Sequence, residues 1–504
     1  MTGQDRIEQP RLEKLSRIIG RGINPYPHKF QRTHTSQEAS GLFQKLLESD
    51  PSATLPGVKL AGRVTAIRFM GKAAFFDIRD GAGKMQVFFR RDSIGEEKYE
   101  LLHDLDLGDF MGAAGQLFKT RSGETTLEAS EFTILAKSLL PLPEKWHGLV
   151  DVEKRYRQRY LDLISNQEVK DLFMKRSQII GAIRSFMNGR GFIEVETPVL
   201  QPTFGGALAR PFTTHHHALD QKLYLRIALE LYLKRLIIGG FDKVYEISRV
   251  FRNEGISTRH NPEFTMLESY EAYADYNDVM EMTETLVSSV AREVLGATEV
   301  TFGGEVIKLD PPWKRLHLRQ SLIEKCGLDF MDYPDADSLR ARMQQMGLQV
   351  DPLKDRGRLI DELLSTCVEP CLKQPTFLID YPIEMSPLAK KHRQEQGLVE
   401  RFEAFICGME VANSFSELND PTEQRERFAG QKQSENSRQI MLSKMGNIEP
   451  EIEQIDEDFI TAMEHGMPPT GGLGIGIDRL IMLLTDRQSI REVILFPQLK
   501  TKND

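Results

Sequence analysis

The chain has 504 residues, more than one usual domain, and the composition of a soluble globular protein with 28% charged and 40% hydrophobic residues. A net charge of -9 argues against general affinity for nucleic acid or membrane surfaces, although a local basic cluster can still hold a polyanion. No apolar run reaches the length of a membrane span, and the opening MTGQDRIEQPRLEK is charged where a secretory signal needs an apolar stretch, so cytoplasmic residence is expected.

Leu12, Leu15, Ile18 and Ile19 recur at helical spacing and predict a helix over 11–20, ended at Gly20 before the stiff Asn24-Pro25-Tyr26-Pro27; residues 1–57 read as helix and connector. From Val58 the pattern changes to five short alternating strands (58–67, 73–80, 84–91, 108–120 and 125–135), which predicts a small closed barrel of the OB kind over 58–140. Arg63, Arg68, Lys72, Lys84, Arg90 and Arg91 lie here with Phe75, Phe76, Phe88 and Phe89. Such a set suits single-stranded nucleic acid, whose bases stack on aromatics while its phosphates meet cations. The plainer alternative is that the phenylalanines fill the barrel and the cations face solvent; pattern alone leaves both open.

Pro141 and Pro143 mark a linker, taken as 141–164, and a larger domain occupies 165–504. Leu172, Phe173, Ile179, Ile180, Ile183, Phe186 and Met187 form an apolar helical stripe ended by Gly189-Arg190-Gly191, and the extended FIEVETPVL follows. Strand-rich pieces at 210–227, 244–270, 376–418 and 471–477, mixed with helices, predict an α+β domain built on an antiparallel sheet. Glu423 to Asp458 reads as helix then loop with a solvated face and is assigned no chemistry. Cys326, Cys367, Cys371 and Cys407 include no CxxC pair and read as structural thiols. His215-His216-His217 is a poor metal cluster, because neighbours in a strand alternate faces.

The segment 251–270, FRNEGISTRHNPEFTMLESY, concentrates arginine, glutamate and histidine on a strand–loop–strand. Alternation would place Arg252, Glu254, Phe264, Glu268 and Tyr270 on one surface, equipment for a nucleoside triphosphate. In RFEAFICGMEVANSFSELND (401–420), a turn at Cys407-Gly408 would make Glu403 and Glu410 diagonal neighbours, a fit for Mg²⁺ shared with phosphate oxygens. The bland reading of the same pair is two solvent-facing carboxylates; Asn413 and Glu417 add an amide and a further carboxylate nearby. GGLGIGIDRL (471–480) predicts a glycine-rich strand running into a helix near Asp478 that carries Arg479, a second guanidinium for phosphate. It has neither dinucleotide-type glycine spacing nor a P-loop Lys-Ser/Thr, so its glycines are expected to let a ligand approach the strand. Together Arg252, Arg479, Glu403 and Glu410 would neutralise a triphosphate while Phe264 stacks on a purine. No protein nucleophile is needed: a bound carboxylate attacks the α-phosphorus, pyrophosphate leaves, and the protein aligns and stabilises charge.

These residues resemble a known family. FRNEG…RHNPEFTMLESY looks like motif 2 (244–270) of the class II aminoacyl-tRNA synthetases, GGLGIGIDRL like motif 3 (471–480), and RGFIEVETPVL like motif 1 (191–200), the dimer-forming element. The order of parts is similar to the aspartate/asparagine/lysine subgroup, and YLRIALELYLKRL, SPLAKKH and NSFSELND resemble its bacterial lysyl branch. The resemblance implies a six-stranded antiparallel catalytic sheet, a homodimer, ATP with Mg²⁺, and transfer of L-lysine through lysyl-adenylate to tRNA(Lys). It also implies roles. Arg252 would hold the α-phosphate and the lysine carboxylate, Arg479 the γ-phosphate and Phe264 the adenine, with Glu254 and His260 assisting. Glu403 and Glu410 would hold the metal. Gly206 and Glu230 would take the α-amino group, Glu417 and Tyr270 the ε-ammonium, and Glu268 and Asn413 would line the pocket; Phe75 and Gln86 match anticodon-reading positions. Leu229 stands where the family usually has proline, so altered loop rigidity with specificity retained is expected. Two competing readings fit less well. A paralogue that lysylates protein would lack the barrel, and a silent regulator would have lost Arg252, Arg479, Glu403 or Glu410.

Overall fold

The computed structural model describes residues 5–143, 149–207, 209–445 and 455–501; linker residues 144–148 and residues 446–454 of the charged segment lie outside them. The chain divides into two compact units, Met1–Val150 and Asp151–Asp504.

In the first unit the predicted helix runs over Asp5–Gly20, and a second one, Ser36–Ser49, lies inside the expected connector. Its start is a capping box: Thr35 accepts from the Glu38 amide, and Glu38 accepts from the Thr35 amide at 2.8 Å. The strands β1 (Leu55–Met70), β2 (Ala73–Arg79), β3 (Lys84–Arg90), β4 (Phe110–Lys119) and β5 (Thr125–Ala136) close into a barrel in the order β1-β2-β3-β5-β4. Strand alternation divides the phenylalanines between the two earlier readings. Phe76 and Phe89 are fully buried in the core, each contributing roughly 2 kcal/mol, while Phe75 and Phe88 stack on each other outside it with centroids 4.8 Å apart.

The second unit opens with the helices Val152–Arg157 and Arg159–Ser165, and buried Arg159 fastens them by donating to the carbonyls of Arg491, Ile494 and Leu495. Its strands are β6 (Ile193–Glu194), β7 (Leu200–Gln201), β8 (Thr213–His216), β9 (Gln221–Leu225), β10 (Lys243–Phe251), β11 (Glu263–Ala272), β12 (Glu299–Phe302), β13 (Glu305–Lys308), β14 (Lys314–His317), β15 (Thr376–Pro382), β16 (Leu398–Ile406), β17 (Met409–Ser416) and β18 (Thr470–Gly476). The main sheet has eight strands in the order β14-β15-β16-β17-β18-β11-β10-β6. The six central strands are antiparallel, as expected, and a short parallel strand is added at each edge.

The helices Gln167–Gly189, Tyr276–Leu295 and Ile477–Leu484 cover one face, burying Ile179, Ile183, Leu286, Phe402, Ile475 and Leu480 in a common core. Tyr276–Leu295 shows why such a helix forms where it does. Asp275 and Asp278 make a capping box at its start, and Gly296, with φ of 73°, ends it in the left-handed conformation. The other face is covered only in parts, by Leu229, Leu233 and Ile237 at one side and by Leu318, Leu322 and Leu363 at the other. Between these two patches the middle of the sheet stays open.

Candidate active site

The opening is a cavity of about 500 Å³ over the middle strands. Its floor follows from pairing register: Glu268, Gly474, Asn413 and Glu403 stand side by side on β11, β18, β17 and β16, and Tyr270, Gly472, Phe415 and Arg401 form the next row. Glycine on the central strand makes a trough. A Cβ at Gly472 would fall 1.9 Å from Glu417 Oε1 and 2.7 Å from the Tyr270 ring, whereas one at Gly474 would meet nothing nearer than 3.8 Å. The glycines thus serve two ends: Gly472 makes room for the protein's own Glu417 and Tyr270, and Gly474 leaves space for a ligand.

At one end of the cavity the guanidinium groups gather. Arg252 follows β10, its amide donating to Pro262 O at 2.8 Å and its Nε to Ile227 O at 3.3 Å; its guanidinium lies 5.2 Å from the Phe264 ring centroid. Asp478 accepts from the Thr265 amide at 2.7 Å and from Arg176, which pins the start of the helix Ile477–Leu484 to β11 and turns Arg479 toward the cavity. Arg479 donates to Glu410 Oε2 at 3.1 Å and lies 3.3 Å from His260 Nε2. Burial and the Arg479 charge push the His260 imidazole below its ordinary range, so it is neutral at pH 7.

The β16–β17 hairpin turns at Cys407 and Gly408, with φ of 51° and 65° as a tight two-residue turn requires. Its pairing is not regular. Ala404 faces Ala412 and Phe405 faces Glu410, which leaves Val411 as the extra residue of a bulge and moves Asn413, not Ala412, opposite Glu403. Val411 and Ala412 consequently both point into the helix-side core, and Glu410 shares the cavity face with Asn413, Phe415 and Glu417. Neither Glu403 nor Glu410 is a plain surface carboxylate. Glu403 accepts from Tyr381 Oη at 2.8 Å and from Arg401, and burial, opposed by Arg401 and reinforced by Glu410, pushes it up to about 7.

At the opposite end the floor is acidic. Glu230 begins the helix Glu230–Ile238, Gly206 with φ of 84° lies against it, and Glu268, Tyr270 and Glu417 complete the wall. Burial pushes Glu268 up to about 7 although it accepts from the Leu229 amide at 3.0 Å. That amide adds to the expectation for Leu229: proline has no N–H, so the departure supplies a hydrogen bond to a cavity carboxylate besides any change in chain stiffness. Burial pushes Glu417 up to about 8 against the pull of Lys234, and its Oε1 has no donor among the described residues.

All thirteen candidates of the catalytic unit therefore line one cavity: Gly206, Glu230, Arg252, Glu254, His260, Phe264, Glu268, Tyr270, Glu403, Glu410, Asn413, Glu417 and Arg479. Sequence reasoning overlooked Arg401, which shares a strand face with Glu403, and Asp361, which arrives on the helix Arg356–Leu363 with no local signal. It also assigned no chemistry to the segment whose Phe428, Gln431 and Lys432 reach the cavity. His215 and His217 lie elsewhere, on an exposed hairpin, with ring centroids 5.1 Å apart. In the barrel, Phe75 is on the outer surface, while Gln86 is buried, donating to Glu124 at 3.1 Å and accepting from Thr126 at 3.0 Å. Each end of the Gln86 amide therefore already has a partner inside the barrel.

The model of the tRNA synthetases class II (D, K and N) matches residues 151–500, and that of the OB-fold nucleic acid binding domain matches residues 58–135. A lysine--tRNA ligase of Dehalococcoides mccartyi (strain ATCC BAA-2266 / KCTC 15142 / 195) is 58% identical over 503 residues, 99% of each chain. One of Carboxydothermus hydrogenoformans is 53% identical over 98% of each chain, and one of Enterococcus faecalis is 51% identical over 97% of this chain and 96% of its own.

Proposed function

The chain belongs to the class II tRNA synthetases of the D, K and N group, and we propose how its cavity serves the reaction. It is an ATP-dependent lysine--tRNA ligase. Lysine and ATP give lysyl-adenylate and pyrophosphate, and the lysyl group then passes to the terminal ribose of tRNA. The observation that carries our assignment of residues is the polarity of one cavity: the buried carboxylates Glu230, Glu268 and Glu417 at one end, the guanidinium groups of Arg252 and Arg479 at the other. Lysine spans them. Its ε-ammonium meets Glu417 Oε1 and Tyr270, its α-amino group meets Glu230 beside Gly206, and Glu268 and Asn413 line the space between.

Arg252 holds the lysine carboxylate against the α-phosphate, Arg479 takes the γ-phosphate, and Phe264 stacks on adenine near Glu254 and neutral His260. A lysine carboxylate oxygen attacks the α-phosphorus as the bond to the bridging oxygen of the β-phosphate breaks. Arginine forks fixed beforehand stabilise the charge spread over the phosphoryl oxygens. Next a ribose hydroxyl attacks the lysyl carbonyl and AMP leaves. Glu403 and Glu410 would hold Mg²⁺. They fit it because Glu403 is pushed up by burial beside other carboxylates, Glu410 and Asp361, and Mg²⁺ accepts two protein carboxylates with phosphate oxygens as further ligands. When bound, the ion neutralises phosphate charge.

Exchange of labelled pyrophosphate into ATP, run with Mg²⁺ over a panel of amino acids, tests the assignment. Lysine alone should support it, and exchange supported by aspartate or asparagine would show the acidic end to be misassigned. Within that assay Gly472→Ala should raise the lysine KM about tenfold or more, because the new methyl displaces Glu417. An unchanged KM would show that Glu417 does not contact lysine.

Phe75 offers a stacking surface for an anticodon base. Phe75→Ala should weaken charging of tRNA about tenfold, within the ~1–3 kcal/mol of base stacking, while exchange, which needs no tRNA, keeps its rate. Equal loss in both assays would point to a folding defect instead. A homodimer is supported by apolar side chains left in water: Ile193 at 50% exposed, Leu200 at 47% and Val199 at 40%, all in the segment like motif 1. Sedimentation at micromolar concentration should give the mass of two chains, and a single-chain mass would remove the dimer from the proposal. Among the described residues no helix is long and apolar enough to cross a membrane; substrates belonging to translation support work in the cytoplasm.

A further inference from the structure

Behind the acidic end sits a cation with no role in the steps above. Lys234 is fully buried on the helix Glu230–Ile238, its ammonium 2.5 Å from Glu230 Oε1 and in contact with Glu417 Oε2. The Tyr270 ring centroid is 6.0 Å away. Glu230 lies one helical turn before Lys234, whereas Glu417 follows β17, so one ammonium ties together carboxylates from two separate elements. The remaining charged groups nearby are Glu268 and Arg252 on the β10–β11 hairpin; Asp456 and Asp458 face the adjacent Arg235 instead. Lys234 does not line the cavity: it meets the carboxylates from the wall side, and Glu417 Oε1 has no hydrogen-bond partner among the described residues.

Charge counting gives this arrangement a purpose. Glu230, Glu268 and Glu417 carry three negative charges when ionised, and lysine brings two ammonium groups while its carboxylate goes to Arg252. Lys234 supplies the third positive charge. We propose that Lys234 is a positioning residue for amino-acid selection: by bridging Glu230 and Glu417 it fixes the spacing of the carboxylates that read the substrate's two ammonium groups and matches the site's charge to a diamino acid. The inference rests on the lysine end as assigned above. Without Lys234 the two carboxylates repel, the proton that Glu417 holds in the absence of lysine is kept to higher pH, and their spacing relaxes.

The test is pyrophosphate exchange by the full chain between pH 6.5 and 9, with lysine and with ornithine, which is one methylene shorter. Lys234→Met should raise the lysine KM about 10²-fold with kcat little changed, move the acidic limb of kcat/KM to higher pH, and narrow the preference for lysine over ornithine. Lys234→Arg keeps the charge and changes the reach, so it should leave the limb in place and alter only the lysine-to-ornithine ratio; it carries the test alone if the methionine variant does not fold. Equal losses in kcat and kcat/KM, with neither the limb nor the ratio moved, would mean a structural role and overturn the proposal. Glu417→Gln runs alongside. Loss of lysine use there with a normal Lys234→Met overturns only the role of Lys234, whereas normal behaviour in both overturns the lysine end itself.

Discussion

Arg252→Lys should lower lysine-dependent pyrophosphate exchange by about 10³-fold and leave the thermal unfolding midpoint within a few degrees of the parent. The Arg252 Nε is committed to Ile227 O, which fixes the plane of the guanidinium and presents its two terminal nitrogens to the cavity. Those two nitrogens are asked to bridge the lysine carboxylate and the α-phosphate at once. A lysine ammonium keeps the charge but is a point donor on a flexible stem, and it cannot hold both groups in line. Losing one preorganised donor to a developing charge costs about 2.7–4 kcal/mol, and here orientation is lost as well. The expected signature is a fall in kcat/KM for both ATP and lysine. A variant within tenfold of the parent on both substrates would remove Arg252 from the reacting centre.

Glu417→Gln should raise the lysine KM by 10²- to 10³-fold, and it should change how that KM depends on pH. Glu417 is buried, with one oxygen toward Lys234 and the other lacking a donor among the described residues. A glutamine there faces the substrate ammonium with half of its polar end a donor, and the buried Lys234 keeps Glu230 but loses the second of its two carboxylates. The sign of the pH effect follows from the direction of the shift. Burial raises the Glu417 carboxyl from 4.5 to about 8, so without lysine it holds a proton at neutral pH. The stability gained from that proton is fully present below the unfolded value near 4.5 and is lost as pH rises through about 8. Lysine binding runs the other way, since an ammonium needs the ionised carboxylate. Affinity should therefore climb from about pH 6 to pH 8 and flatten above. Glu268, raised to about 7, titrates in the same window, so the glutamine variant should lose part of the slope and keep the rest. A parent enzyme whose lysine KM is flat over that range would contradict the buried acidic end.

What the sequence made legible and what it hid divide along the range of the interactions. Alternation in 244–270 was sufficient to put Phe264, Glu268 and Tyr270 on one face, because register within a hairpin is local. The turn at Cys407-Gly408 was readable for the same reason. The bulge at Val411 was not, since it depends on how β17 satisfies β16 and β18 together. The parallel edge strands β6 and β14 are too short to carry a period and exist only through neighbours distant in the chain. Gln86 looked available as a reader until Glu124 and Thr126, some forty residues on, were placed beside it. The Lys234–Glu230 spacing was visible as an i, i+4 pair, but on sequence alone such a pair belongs to a solvated helix surface, and burial by β11 and the end of β17 gives it another meaning.

The Val411 bulge also bears on which genetic changes this gene can absorb. In-frame loss of codon 411 would remove the supernumerary residue and leave Asn413, Phe415 and Glu417 facing as they do now. Loss of codon 414, three positions on, would invert Phe415 and Glu417 and empty the acidic end of its main carboxylate. Two deletions of equal size, separated by a single turn of the pleat, thus differ in kind: one keeps the cavity face and loses only the packing of Val411 in the helix-side core, and the other removes the carboxylate that binds the substrate.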